Sequence, residues 1–202
     1  MKWAPIGIAV CMALVLGLSG CNGTDQAVQD SRGSSTSDAV DHNDADVAFL
    51  QQMIPHHAQA IEMSDVLLAT SGVSPQIAAQ ARSIKVRQTS EIAMMRGWLT
   101  TWATGPAAVQ PPHHSGQCGM VSPRELAALH DAESAVADRL YLELMISHHA
   151  GAIAMARVET GAGRSAFATD YARGIMSSQQ REIDVMRSMS KPDIPVTDPP
   201  PC

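Results

Sequence analysis

The chain has 202 residues, 45% of them hydrophobic and 17% charged, with 14 Lys and Arg against 20 Asp and Glu. Those proportions fit a globular protein rather than a disordered one, and a formal net charge of -6 argues against nucleic acid as a partner, because phosphate binding needs a cationic surface. Eight His and twelve Met against two Phe and two Tyr point toward metal chemistry before any motif is read.

Residues 1–20 are expected to be a signal peptide. Lys2 supplies the positive start, the run from Ile6 to Leu18 is apolar but short for a membrane span, and Leu18-Ser19-Gly20-Cys21 follows. That tetrapeptide resembles the lipobox of bacterial lipoproteins, which implies cleavage before Cys21 and acylation of its amino terminus. Each buried methylene contributes about 0.8 kcal/mol, so two or three acyl chains would hold the protein on the outer face of a membrane. The alternative is an ordinary signal peptide with a chance cysteine. Residues 21–43, rich in Ser, Asp, Gly and Thr, read as a flexible tether.

From residue 44 the chain reads as helical, to about residue 191. Asp44 is a plausible cap for a first helix whose Phe49, Met53, His56, His57, Ala60 and Met63 share one side at a period of 3.6. Pro55 sits inside this helix. It removes one amide donor, and either a kink that aims His56 or a tolerated packing adjustment follows. Ser74-Pro75 opens a second helix, because proline is favoured at the first helical position. Residues 103–121 hold Pro106, Pro111, Pro112, Gly116 and Gly119 and read as a linker. Ser122-Pro123-Arg124-Glu125 has the form of a capping box and starts a short helix that leads into a long one. Gly161 and Gly163 mark the next turn, Pro192 closes the last helix, and residues 192–202 form a Pro-rich tail.

The two helical stretches repeat. Asp46 to Met63 matches Asp138 to Met155 at ten of eighteen positions with a displacement of 92. Ala81 to Arg96 matches Ala172 to Arg187 at a displacement of 91, preserving Gln88/Gln179, Glu91/Glu182 and Met95/Met186. The repeats span about 44–102 and 122–190. Each reads as a helical hairpin that cannot bury its apolar face alone. The expected fold is all-α, an antiparallel four-helix bundle of two duplicated hairpins.

On the first helix of each hairpin, Met53, His56, His57 and Met63, and again Met145, His148, His149 and Met155, share one broad face. Glu91 and Met95 on one partner helix, and Glu182 and Met186 on the other, face the same interior. A Met stripe at helical spacing is commonly plain core, and a buried His is commonly just hydrogen-bonded, with Glu91 and Glu182 as natural acceptors. Adjacent histidines in both halves weigh against that reading. Arg82, Arg96, Arg173 and Arg187 offer an anion site, with solvated or Glu-paired arginines the simpler account.

The stretch from His42 to Phe49, the motif Met53-Ile54-Pro55-His56-His57 with Ala60, Ile61 and Met63, and its second copy Met145-Ile146-Ser147-His148-His149 continuing to Met155 resemble the domain of unknown function 305 (DUF305) family. Gly119-Met120-Val121-Ser122 with Glu125, Leu126 and Leu129 is similar too, so the likeness runs from about His42 to Met189. Ser147 departs from the Pro of the first motif. The resemblance implies an exported, ferritin-like four-helix bundle. It also implies, from copper-binding members linked to copper and silver tolerance, that the repeated Met and His residues are candidate ligands.

Thioether sulfur with imidazole suits monovalent copper, whereas carboxylate with imidazole suits iron, manganese or zinc. The Glu-x-x-His motif of di-iron bundles is absent, because Met53 and Met145 precede His56 and His148 by three. The expectation is therefore a non-enzymatic protein that binds copper(I), and silver(I) as well. The alternatives are a di-metal enzyme using His with Glu91 and Glu182, and a structural or partner-binding bundle. A further soft cluster, His113, His114, Cys118 and Met120, is either a second metal site or the place where Cys118 pairs with Cys202. The disulfide is preferred outside the cytoplasm and would contribute about 4–5 kcal/mol on the loop-entropy model. No arrangement suggests nucleophilic catalysis.

Overall fold

The computed structural model describes residues 41–102 and 118–190. The expected signal peptide and tether, Cys21, the linker histidines His113 and His114, the tail and Cys202 lie outside the described residues. Within them the fold is all-helical, with five helices and no strand: α1 Asp44–Ala69, α2 Pro75–Trp102, α3 Pro123–Asp131, α4 Ser134–Ala162 and α5 Ala166–Met189.

The cap of α1 corrects the sequence reading. Asn43, not Asp44, is the N-cap: its side chain accepts from the amides of Ala45 and Asp46, and Asp46 returns a bond to the Asn43 amide. Asn43 wins because the reciprocal bond needs an acid three positions on, and Asp46 supplies it. Asp46 does more than cap. Fully buried, it also accepts from the amides of Arg164 and Ser165. It thereby ties the start of α1 to the loop between α4 and α5. Glu159 lies beside it, 1% exposed, and burial followed by contact with Asp46 pushes its carboxyl up to about 8. Ser74-Pro75 opens α2 and Ser122 caps α3 with Glu125 as its box partner, both as the sequence predicts. Helix α4 runs through Gly161 to Ala162 and is capped by Gly163, so the second of the two glycines marks its end. Pro55 stays inside α1 with its ring exposed, so water reaches the carbonyl that its missing amide leaves unbonded.

Helix α1 packs on α2 and α4, and α4 on α5, with α3 across α1 and α4. Two apolar clusters form. One holds Phe49, Leu50, Met53, Ile92 and Met95 with Ala152, Ala156, Ala168 and Ala172. The other holds Met63, Leu67, Ile84, Tyr141, Met145, Ile146 and Met186. Each fully buried Leu, Ile or Met in them contributes about 1.5–3 kcal/mol. Tyr141 is the largest fully buried side chain among the described residues, and it donates to Ser64 Oγ at 3.1 Å because that hydroxyl already donates to the Ala60 carbonyl. At the other end His42 stacks on Trp102 at 4.5 Å.

Candidate metal centre

Between the two apolar clusters, along the helices, lies a belt of buried polar side chains: His56, His57, His148, His149, Gln88, Gln179 and Glu182, with Glu91 at its edge. Helical spacing explains it, since each His doublet directs one ring toward each of two neighbouring helices. His57 Nε2 donates to Glu91 Oε2 at 2.9 Å, and His149 Nε2 donates to Glu182 Oε2 at the same distance. The carboxylates that the sequence offers as acceptors take that role in both halves. His56 and His148 lie against each other, ring centroids 3.7 Å apart, and His56 Nε2 donates to the Cys118 carbonyl at 2.9 Å.

These bonds set the chemistry of the rings. With Nε2–H anchored on His56, His57 and His149, the nitrogen left for a lone pair is Nδ1. The Nδ1 atoms of His56, His57 and His149 are buried without a hydrogen-bond partner, and the His148 ring, which lies against the His56 backbone, makes no well-aligned bond at either nitrogen. An unsatisfied buried polar atom costs about 1–3 kcal/mol, so several at one level of the core is a large deficit for side chains that merely pack. Burial, reinforced by the neighbouring His57, pushes the His56 imidazole down to about 3. His148 falls well below its ordinary value, from burial first and the other three histidines next. Both rings are therefore neutral and keep a lone pair at neutral pH.

Thioethers bracket the belt. Met53 and Met95 are fully buried in one cluster with Met155 half-buried at its rim, and Met63, Met145 and Met186 are fully buried in the other. Each side of the belt thus has at least three methionines, and each cluster draws on both repeats, with Met63 beside Met145 in one and Met155 beside Met53 in the other. The structure brings the eight main candidates, Met53, His56, His57, Met63, Met145, His148, His149 and Met155, to this region, along with Glu91, Met95, Glu182 and Met186. Met120 is half-buried in the segment beside it. Among the described residues no group of three or more His, Cys, Asp and Glu side chains is placed to hold a metal ion.

Sequence reasoning treats 103–121 as linker, and of that segment residues 118–121 are described. Residues 118–121 form a strap across α1 and α4 at the level of the belt. Gln59 clamps it with two bonds, Nε2 to the Val121 carbonyl at 2.8 Å and Oε1 from the Val121 amide at 2.7 Å. Gly119, at φ 72°, lies so close to Ser147 and Gly151 that a Cβ there would meet the Ser147 carbonyl at 2.7 Å. A Cβ at Gly151 would meet the Cys118 carbonyl at 2.2 Å. Cys118 is disulfide-bonded. The sequence signal was available: Gln59 and Gly151 occupy matching repeat positions, and both differences serve the strap. Gly151→Ala is expected to push the strap off its seat and break the His56–Cys118 bond. Overpacking of about 1–3 kcal/mol would be partly offset by alanine's better helix propensity, about 1 kcal/mol. Faster amide hydrogen exchange at Gly119–Val121, with the helices unchanged, is the readout.

The sequence profile described as "Domain of unknown function (DUF305)" matches residues 46–190. Among solved structures, a putative secreted DUF305 protein from Streptomyces coelicolor is 32% identical, covering 72% of this chain and 89% of that one at a TM-score of 0.64. A DUF305 fragment from Deinococcus radiodurans is 31% identical over 72% and 94% of the two chains, with a TM-score of 0.63. CopM in the Cu(I)-bound form is 28% identical over 71% and 94%, with a TM-score of 0.58. CopM has also been solved in Cu(II)-bound and Ag-bound forms. No curated protein matches. The chain belongs to the DUF305 family.

Proposed function

We propose that this protein is an exported binder of copper(I) and silver(I), holding the ion with imidazole nitrogen and thioether sulfur. The observation that carries this reading is the set of bare, buried Nδ1 atoms bracketed by methionines on each side. Met53 with His57 and Met145 with His149 are the central pairs, because carboxylates behind both rings raise their donor strength. His56, His148, Met63 and Met155 complete the set, with Met95 and Met186 in reserve. Neutral imidazole and uncharged sulfur match a soft monovalent ion better than a hard divalent one. CopM, a relative by fold and sequence, is described with copper and silver bound.

The scaffold we propose is a four-helix bundle of two duplicated hairpins. Support comes from the repeat-matched His57–Glu91 and His149–Glu182 bonds, both 2.9 Å. Export is supported by the description of the Streptomyces relative as secreted. A lipid on Cys21, which follows Leu18-Ser19-Gly20, is the attachment we propose; among the described residues no helix is long and apolar enough to cross a membrane. Cys202 is the partner we propose for Cys118, the metal role of His113 and His114 being the alternative. No catalytic residue is assigned.

Anaerobic titration of the apo-protein with copper(I) against a competing chelator tests the proposal. The expected result is binding that is lost when Met53, His57, Met145 and His149 are replaced together by Leu. Equal competition by the wild type and that variant would overturn it, and would favour a bundle in which His and Met only pack.

A further inference from the structure

The two halves of the belt are related by the repeat, yet their carboxylates differ in surroundings. Glu182 Oε2 accepts from His149 while its Oε1 lies 3.1 Å from Arg87 Nη2, an ion pair without a well-aligned hydrogen bond. At the displacement of 91 that relates Glu91 to Glu182, the position matching Arg87 is Ser178. A second cation, Arg181, lines the groove of about 440 Å³ between α2 and α5 onto which Glu182 opens, and its match is Ser90. Both positive charges therefore belong to the Glu182 half, and serines stand at their counterparts.

Resting on the metal-binding reading above, we infer that Arg87 makes the halves unequal, so that the His57–Glu91 half takes a soft monovalent cation more tightly than the His149–Glu182 half. A carboxylate behind an imidazole strengthens its far nitrogen as a donor. A guanidinium on that carboxylate withdraws part of the effect and also repels the incoming cation directly. A unit charge about 8 Å away at an effective dielectric near 20 changes a binding constant by about thirtyfold. The Arg87 side chain is 36% exposed, so solvent and salt screening reduce the expected effect to about tenfold. Arg87 is thus a positioning and tuning residue: it acts on the ion through Glu182.

Silver(I), which needs no reductant, is the probe, titrated into the full chain carrying 15N-labelled histidine. In the wild type the His57 resonances respond first and those of His149 second, with constants about tenfold apart. Arg87→Gln closes the gap by strengthening the second step, and Arg87→Lys, which keeps the charge, preserves it. Ser178→Arg weakens the first step. Arg87 is partly exposed in a groove, so these variants leave the core intact, and circular dichroism confirms it. If silver binds but both rings respond together, or Arg87→Gln leaves the gap unchanged, the inference falls and the metal-binding reading stands. If the wild type takes up no silver, both fall.

Discussion

The metal-free protein is expected to be most stable near pH 6.5 and to lose stability progressively toward pH 4, read as a falling urea midpoint. His56 is held down to about 3 in the folded state against an ordinary 6.5, and His148 is lowered in the same direction. A depressed imidazole binds its proton more readily once unfolded, so its contribution is complete above pH 6.5 and is lost as pH falls toward 3. Glu159 has the opposite sign. Its carboxyl is raised to about 8 from an ordinary 4.5, so its contribution is complete below 4.5 and is lost as pH rises toward 8. Between 4.5 and 6.5 the two imidazoles outweigh the one carboxyl, and above 6.5 the carboxyl acts alone, costing about 2 kcal/mol by pH 8. Glu159→Gln should flatten that alkaline arm and leave the acid arm in place. A profile level from pH 4 to pH 7 would mean that the histidine belt is open to water.

Replacing the carboxylates behind the rings is the second large effect. Glu91→Gln and Glu182→Gln are each expected to weaken silver(I) binding by about 10–100-fold, although neither side chain is a proposed ligand. The amide still fills the space and still offers an oxygen to the Nε2–H group, so folding is little changed. What is lost is the negative charge that sharpens Nδ1 as a donor and offsets the incoming cation. Isothermal titration with silver(I) reads the change directly. Affinity unchanged in both variants would show that the imidazoles on these carboxylates are not where the ion sits.

Much of this was legible in the sequence, because a repeat with helical periodicity is a one-dimensional signal. The doubled Met-x-x-His-His motif gave the face, and Gln88, Glu91 and Met95 with their counterparts gave the opposing stripe. The Ser122–Glu125 capping box lies within four residues and could be read directly. What escaped depends on approach in space. The clamp between Gln59 and Val121 joins residues 62 apart, and the link from Asp46 to Ser165 joins residues 119 apart. Neither leaves a local pattern. Met63 and Met155 show the same limit, since periodicity places them on the right face but does not say which of the two clusters each joins. Departures from the repeat were the overlooked clue: Gln59 against Gly151 marks the strap, and Arg87 against Ser178 marks the unequal carboxylates.

The strap has a kinetic consequence. It crosses the helices where His56 lies, fastened at Cys118 by a disulfide and at Val121 by two side-chain bonds. An ion held as proposed and leaving by that face would wait for the crossing to lift, so its residence time would follow the opening frequency of a short backbone span rather than the strength of the proposed donors. Retention and affinity then become separately adjustable, and thiol reductants that cut the Cys118 tether would hasten release without altering a single ligand.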